Sequence, residues 1–240
     1  MPASWEIMEA RKNRLLLAIL MPPDLGITMK FARNLHTLQL PPGSDFMEVI
    51  GLPYGAARNS AAKQALDRGY NLAFLDADMR VSPDAYMKLL ETNLPYVSGL
   101  YYQRLPDYLP CMFNEGRDAS GNIVSIPIGG WKPGDIVPAD FVPAGLLLIR
   151  HPLLVKIFER FPLPFYWGLD VAPVPDVGGG NAYPFSEDFS ASYRVKNVLG
   201  IQPYVHTGVV GLHESRGVIG PKWMVRQPNP DPLLGVMGVM

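Results

Sequence analysis

The sequence contains little cysteine and no excess of either charge. Its 240 residues include a single cysteine, Cys111, which excludes an internal disulfide, and no Cys/His cluster has the spacing of a zinc site. Basic and acidic side chains number 21 and 22, for a formal net charge of −1, and Lys and Arg form no long run. Nucleic-acid-binding surfaces usually show as excess basic charge, so we expect no nucleic-acid partner.

Long apolar runs are also lacking. A charged stretch, residues 1–14, is followed by only eight apolar residues, 15–22. A run of that length is too short to cross a bilayer, and no small-residue cleavage site follows it. We therefore expect a cytoplasmic protein without a transmembrane segment.

Apolar residues still make up 48% of the chain, which is typical of a packed globular protein. In the first hundred residues, apolar runs alternate with helix-forming segments. Strands are predicted at 14–21, 46–50, 72–75 and 96–102, and helices at 28–38, 56–68 and 82–92, the last with Ser82 as its N-cap. This alternation predicts an α/β fold with a mostly parallel central sheet flanked by helices, in which ligands bind beyond the carboxyl ends of the strands.

The second half is less regular and holds most of the 25 prolines. Residues 162–185 contain five aromatic residues and many Pro and Gly, which we interpret as a binding loop rather than a tight connection. The other predicted elements are a β-hairpin around 119–122, strands at 145–149 and 202–210, and helices at 152–160 and 187–199.

Two carboxylates, Asp76 and Asp78, directly follow the third predicted strand. Like charges so close together are costly unless a cation neutralises them. Hard oxygen ligands suit Mg²⁺ or Mn²⁺, and these ions bridge the phosphates of nucleotides. Asp is also common in turns after strands, so the Asp-x-Asp pattern alone leaves a structural role open.

Two helix starts carry further candidate residues. Arg58 lies in the first turn of a predicted helix, where the helix dipole does not favour a cation. A nearby anionic ligand would explain it, and a solvated side chain is the alternative. Glu187 and Asp188 follow Ser186, a predicted N-cap, so they either complement the helix dipole or supply a carboxylate base.

A histidine, His213, follows the last predicted strand and has glycine nearby. Its position makes it a candidate third metal ligand, although a lone histidine is more often structural or solvated. His206 is the rival candidate, but it lies inside the predicted strand. We therefore assign the metal role to His213, together with the two aspartates.

Six short segments, taken together and in order, resemble the GT-A glycosyltransferases, and most closely the compact family 2-like enzymes of bacteria and phages. The resemblance covers roughly residues 14–215. It rests on ARN at 57–59, FLDAD at 74–78, VSGLYY at 97–102, AGLLLI at 144–149, SED at 186–188 and GLH at 211–213.

The resemblance implies one GT-A domain over residues 1–240, with a Rossmann-like donor half at about 14–104, an acceptor half at about 105–213 and a C-terminal lid or tail at 214–240. It implies a nucleotide-sugar donor, with UDP or GDP as the nucleotide, and a carbohydrate or other hydroxyl acceptor. The implied cofactor is Mn²⁺ or Mg²⁺, and the implied activity is an inverting sugar transfer.

The resemblance also implies roles for individual residues. Asp76 and Asp78 would meet the ribose of the donor and the metal, with Asp78 as the direct ligand, and His213 would complete the metal site. Asp188, or Glu187 in its place, would be the catalytic base. The remaining donor contacts would come from Arg58, near the nucleotide, and from a lid over the diphosphate that includes Lys222, Trp223 and Arg226.

Other classes remain open. A haloacid-dehalogenase-like phosphatase also uses Asp-x-Asp after a strand, but that class has the acids after the first strand and a Thr two residues beyond the second Asp, where this chain has Arg80. A non-catalytic nucleotide- or carbohydrate-binding module would need the aspartates without a base at 187 or 188. A nucleotidyltransferase fits less well, because no glycine-rich loop follows the first strand.

Overall fold

The computed structural model describes residues 13–21, 27–103, 108–165, 186–214 and 218–219. Helices and strands are numbered in chain order. They are β1 (Leu15–Met21), α1 (Met29–Thr37), β2 (Asp45–Ile50), α2 (Tyr54–Arg68), β3 (Asn71–Asp76), β4 (Met79–Arg80), α3 (Ala85–Glu91), β5 (Tyr96–Leu100), β6 (Phe113–Arg117), β7 (Ile123–Pro127), β8 (Ile136–Pro138), β9 (Leu146–Ile149), α4 (His151–Arg160), α5 (Glu187–Tyr193), a π-helical turn (Arg194–Val198), β10 (Tyr204–Val210), β11 (Leu212–Glu214) and β12 (Val218–Ile219).

Seven strands form a central sheet in the order β2-β1-β3-β9-β5-β10-β8. Strand β1 lies parallel to both β2 and β3, and β10 lies parallel to β5. Two strands run the other way: β9, inserted between β3 and β5, and β8, at the edge beside β10. The predicted α/β architecture with a mostly parallel sheet is confirmed, and it is compatible with a single Rossmann-like domain.

Helices cover both faces of this sheet, and the strand sequences reflect it. Every residue of β1 is buried, with Leu16, Ala18 and Leu20 packed in the layer of α2, α4 and α5, and the alternate residues packed in the layer of α1 and α3. A strand covered on both sides has no polar face. This is why β1 appears in the sequence as one apolar run rather than as an alternating pattern.

The helices lie where they were predicted, with differences at their ends. Helix α2 ends at Gly69, whose φ of 68° is the left-handed conformation that glycine adopts without strain. The prediction of Ser82 as an N-cap is wrong, because the Ala85 amide bonds to the Ser82 carbonyl in a turn and α3 begins only after Asp84. The predicted helix 187–199 is α5 followed by the π-helical turn. None of the helices in the described ranges has the length and apolar character needed to span a bilayer.

Short strands outside the central sheet complete the fold. The hairpin predicted around residues 119–122 is confirmed as β6 and β7. A separate three-stranded sheet of β12, β11 and β4 was not predicted, because β4 and β11 contain two and three residues, too few for an apolar pattern to show. This small sheet matters for the site, since β4 begins directly after Asp78 and β11 contains His213.

Candidate active site

The predicted Asp-x-Asp acids lie at the carboxyl end of the central sheet. Asp76 is the last residue of β3, and its amide donates to the Gly145 carbonyl, just before β9, at 3.0 Å. The next amide, that of Ala77, donates to the Leu20 carbonyl of β1 at 3.2 Å. These bonds hold the start of the turn between two neighbouring strands, at the edge where α/β sheets bind ligands.

One buried arginine joins the two groups of acids that the sequence suggested separately. Arg58, 3% exposed, projects from α2, with its Nη2 3.2 Å from Asp76 Oδ1 and its Nε 3.2 Å from Glu187 Oε1. Its Nη1 donates to the Ala144 carbonyl at 3.0 Å. The solvated alternative for Arg58 is therefore wrong, and the anions that it contacts belong to the chain itself. A place near a donor nucleotide stays a prediction.

Burial and charge act in opposite directions on this cluster. Burial alone would lower the pKa of Arg58, but the carboxylates of Asp76, Glu187 and Asp188 outweigh it, so the pKa is raised and the guanidinium stays charged. Burial, reinforced by the neighbouring Asp188 carboxylate, raises the pKa of Glu187, and the attraction of Arg58 only partly offsets this. The Arg58 guanidinium also lies 5.0 Å from the centroid of the Phe74 ring, a cation–π contact.

The Asp188 carboxylate is held at the start of its own helix. Its Oδ1 accepts from the Ser186 hydroxyl and from the Phe189 amide, the latter at 2.8 Å, and its Oδ2 accepts from the Ala144 amide at 3.4 Å. Ser186 occupies the N-cap position as predicted, but its hydroxyl donates to Asp188 instead of accepting from a helix amide. These bonds fix Asp188 beside Ala144, whose carbonyl also binds Arg58.

Two residues that the sequence did not suggest, Tyr101 and Gly145, lie against Asp76. The Gly145 amide donates to the Tyr101 hydroxyl oxygen at 2.9 Å. A Cβ at position 145 would lie 2.8 Å from Asp76 Oδ2, 2.8 Å from Tyr101 Oη and 3.0 Å from Met79 Cε. Glycine is therefore needed at this position for the three groups to come together. The glycine of the AGLLLI segment was the available signal in the sequence.

The small sheet brings His213 close to the Asp-x-Asp turn. His213 is paired with Met79 across β11 and β4, and the next amide, that of Glu214, donates to the Asp78 carbonyl at 2.6 Å. The His213 ring is buried and packs edge-on against Tyr101, with 5.1 Å between ring centroids. The backbone of His213 thus lies next to the Asp-x-Asp turn, as the sequence predicted. His206, the rival, lies within β10 as predicted.

The imidazole of His213 has a defined tautomer when it is neutral. Its Nδ1 lies 2.9 Å from the Tyr102 carbonyl oxygen. A carbonyl can only accept, so Nδ1 carries the hydrogen and Nε2 carries the lone pair. Metal-binding histidines commonly have one ring nitrogen fixed by such a carbonyl, which orients the other nitrogen.

The predicted cation ligands were Asp76, Asp78 and His213, and of these Asp76 already has its Oδ1 paired with Arg58. Among the described residues, no three His, Cys, Asp or Glu side chains are gathered as a metal-binding group. Mg²⁺ and related ions often take one or two protein ligands and complete their shell with substrate phosphates and water. The backbone pairing brings Asp78 and His213 to the same small sheet, and carboxylate and imidazole groups are ligand types that a site of that kind can use.

Glu214, which the sequence did not suggest, links three elements around His213. Its Oε1 lies 2.8 Å from Arg80 Nε on β4, and its Oε2 accepts from the Thr28 hydroxyl at 2.5 Å. Thr28 is the N-cap of α1, where its Oγ1 accepts from the Phe31 amide at 3.0 Å. Glu214 therefore holds the start of α1 and both short strands in one arrangement. No local sequence pattern points to this role.

A cleft of about 580 Å³ lies beside the first turns of α2. Asn59 forms one side of it: its Oδ1 accepts from the Phe165 amide at 2.8 Å, and its amide group donates to the Phe165 carbonyl. The described residues on either side of positions 166–185 are Phe165 and Ser186. Residues 166–185 of the predicted binding loop lie outside the described residues, as do Lys222, Trp223 and Arg226 of the predicted lid.

No family model matches the chain, and no curated protein sequence matches it. Among solved structures, the chain is similar to one titled as the crystal structure of A197 from STIV, with 14% sequence identity and a TM-score of 0.52, over 85% of this chain and 93% of that one. A likeness at this level of identity shows the fold alone, and it agrees with the α/β architecture.

Proposed function

We propose that this protein is a metal-dependent glycosyltransferase that moves a sugar from a nucleotide-sugar donor to an acceptor hydroxyl with inversion. The observation that carries the proposal is the position of Arg58. It joins Asp76, assigned from the sequence to the donor, and Glu187, next to the residue assigned as the base. Clusters of buried titratable groups at the carboxyl end of an α/β sheet are strong candidates for catalytic sites.

On the donor side, Asp76 and Asp78 have different roles. Asp78 and His213 hold Mn²⁺ or Mg²⁺, and the cation supplies positive charge for the leaving nucleoside diphosphate. Asp76 binds the donor through Oδ2, because its Oδ1 is paired with Arg58. Arg58 itself acts through Asp76, since its nitrogens bind two carboxylates and a carbonyl of the chain.

On the acceptor side, Asp188 is the proposed base. It takes the proton of the acceptor hydroxyl, whose oxygen forms a bond to the anomeric carbon. The bond from that carbon to the diphosphate breaks, and its electron pair leaves with the diphosphate, so the leaving group needs no proton. Asp188 suits this task better than Glu187, which is 5% exposed and paired with Arg58, whereas Asp188 is half-buried.

A transfer assay with UDP-sugars and GDP-sugars, in Mn²⁺ and in EDTA, tests the proposal. Nucleoside diphosphate should be released in Mn²⁺ only, and the product anomer should be opposite to that of the donor. Asp188→Asn keeps the shape and removes the charge, so it should reduce transfer by about 10²- to 10⁴-fold with donor affinity unchanged. Glu187→Gln is the control, with a smaller expected loss. If the wild-type protein releases nothing from any donor, the proposal fails; if Asp188→Asn transfers at the native rate, Asp188 is not the base.

A non-catalytic nucleotide- or carbohydrate-binding module is the second candidate. One observation favours it: both possible bases already have partners in the chain, Glu187 with Arg58 and Asp188 with Ser186 and two backbone amides. Such a module would bind nucleotide-sugars in the calorimeter and release no diphosphate. The phosphatase alternative instead predicts hydrolysis of simple phosphate esters. An assay of phosphate release on the same protein tests it.

A further inference from the structure

The cleft beside the first turns of α2 has no role in the proposed function. Its volume of about 580 Å³ lies within the usual range of small-molecule sites, roughly 300–1,000 Å³. Part of its lining is a stripe along one face of α2: Ala56, Asn59, Ser60 and Lys63. Arg58 does not belong to this lining, and its guanidinium binds Asp76 and Glu187 instead. The cleft is therefore formed by residues other than those of the proposed transfer site.

Most of the remaining lining is apolar. It comes from Phe158, near the end of α4, and from residues that follow this helix: Pro162, Leu163 and Phe165. Leu163 is 58% exposed, so the cleft holds apolar surface that is in contact with solvent. Removing such surface from water favours binding. The cleft therefore suits a ligand that has an alkyl or aromatic part.

The polar side chains of the cleft can donate hydrogen bonds to a ligand. The Ser60 hydroxyl has no partner among the described residues, and the Lys63 ammonium gives one of its three hydrogens to Asp67. Asn59 differs, because both ends of its side-chain amide are bonded to the Phe165 backbone. Among the described residues that line the cleft, none is acidic. These groups are complementary to an anion.

The start of α2 adds positive potential to the same cleft. Its N-cap residue, Pro53, has no side-chain group that can accept a hydrogen bond, and the first turn contains no acidic residue. Gly55 and Ala56 both line the cleft, and the position of their amides in the first turn leaves them without an acceptor inside the helix. The helix dipole therefore also favours a negative group in this cleft.

We infer that the cleft binds a small amphipathic anion, whose phosphate or carboxylate group lies beside Ser60 and Lys63 and whose apolar part packs against Leu163. This inference goes beyond the proposed function, since it requires neither the cation nor the nucleotide-sugar. A neutral ligand would not use the charge of Lys63, an ammonium would be repelled by it, and inorganic phosphate would leave the apolar lining in contact with water. Both parts of the ligand are therefore required.

Probes that share one octyl tail test the inference. The full chain is titrated in the calorimeter, without Mn²⁺ or nucleotide, with octyl phosphate, octanoate, octanol and octylammonium, each below its micelle-forming concentration. At least one anion should bind about tenfold more tightly than octanol, because it gains a charge-assisted hydrogen bond. Octylammonium should bind no more tightly than octanol, and inorganic phosphate much more weakly than octyl phosphate. The anion that binds more tightly identifies the head group. Octanol binding as tightly as both anions would overturn the inference, as would the absence of binding by every octyl probe.

Lys63→Gln tests the charge. It should weaken the binding of octyl phosphate and octanoate about tenfold and leave that of octanol unchanged. Lys88→Gln is the matched control, because Lys88 forms an equivalent exposed pair with Asp84, four residues earlier on α3. That variant should bind every probe as the wild type does. Equal weakening by the two variants would overturn the inference, since the effect would then come from net charge.

Leu163→Ser tests the apolar part. It should weaken octyl phosphate, octanoate and octanol by the same factor, since all three carry the same tail. Ile126→Ser is the control, because Ile126 is 51% exposed but lies on β7. Ser60→Leu fills part of the cleft and should abolish binding. If Ser60→Leu does not fold, Leu163→Ser decides the location of the site, and unchanged affinities in that variant would overturn the inference.

The outcome for this cleft is independent of the outcome for the proposed function. Variants that lose binding of the octyl probes should still bind UDP or GDP in Mn²⁺ as the wild type does. If no octyl probe binds, the inference fails and the proposed sugar transfer is unaffected. If no nucleotide-sugar is turned over while octyl phosphate or octanoate binds, the proposed function fails and the inference stands.

Discussion

The guanidinium of Arg58 and the carboxylate of Glu187, 129 positions apart in the sequence, lie 3.2 Å from each other in the protein interior. The side chains are 3% and 7% exposed. The same guanidinium pairs with Asp76 at 3.2 Å, so one side chain connects α2, β3 and α5. Buried ions are stable only as a complete set, because removing one partner leaves a charge without compensation.

Replacing Arg58 should therefore destabilise the fold strongly. Arg58→Met leaves Asp76 and Glu187 without their cation, and we expect the free energy of unfolding to fall by about 3–5 kcal/mol, measured by urea denaturation. Arg68→Met is the control on the same helix; it breaks an exposed pair with Asp45 and should cost much less. Similar losses in the two variants would show that the buried cluster has no special importance for stability.

Position 145 should tolerate no side chain. In Gly145→Ala the added Cβ would lie 2.8 Å from both Asp76 Oδ2 and Tyr101 Oη, so these groups must move apart. Overpacking of this kind typically costs about 1–3 kcal/mol, which thermal unfolding would detect. Gly129→Ala is the control, because nothing lies within 4 Å of a Cβ at that position. If both variants unfold at the wild-type temperature, Asp76 and Tyr101 do not lie close enough to position 145 to exclude a side chain there.

Stability should depend on pH through Glu187. Burial raises the pKa of this carboxyl above its usual value of 4.5, so the folded state holds the proton more tightly than the unfolded state does. The protonated Glu187 carboxyl therefore contributes to the stability of the fold. This contribution is complete at pH values below 4.5 and is lost as the pH rises through the folded-state pKa. Urea denaturation from about pH 4 to about pH 7 should show the unfolding free energy of wild type falling relative to that of Glu187→Gln. A relative rise instead would mean that the attraction of Arg58 outweighs burial.

His213, rather than His206, should affect metal binding. The proposal gives the His213 Nε2 lone pair to the cation, so His213→Ala should weaken Mn²⁺-dependent binding of UDP or GDP in the calorimeter, and EDTA should abolish it. His206→Ala is the control, since His206 lies on β10, where its Nδ1 accepts from the Gly208 amide. Equal nucleotide affinity in Mn²⁺ and EDTA would remove the metal from the proposal.

The sequence predicted the parallel half of the sheet well because its strands are buried on both faces. Apolar runs such as that of β1 give a strong signal, and the helices between them alternate regularly. It also predicted a strand at 145–149, but nothing in that apolar run indicates that β9 is antiparallel and lies between β3 and β5. Strand order depends on packing between distant segments, which local patterns do not encode.

The candidate site was predictable in its types of residue but not in their contacts. Asp-x-Asp after a strand, acids at a helix start and a histidine after the last strand each carry a local signal. The pairing of Arg58 with two of those acids does not, because it joins positions far apart in the chain. Tyr101 and Glu214 were missed for the same reason, since each is defined by what it meets in space, Gly145 in one case and Arg80 and Thr28 in the other.

Arg58 and Asn59 are consecutive in α2, and together they hold two segments that are far apart in the sequence. Asn59 binds Phe165, and Arg58 binds Glu187. One turn of α2 therefore sets the distance between Phe165 and Glu187. A substitution that moves this turn shifts both segments at once, and with them the start of α5.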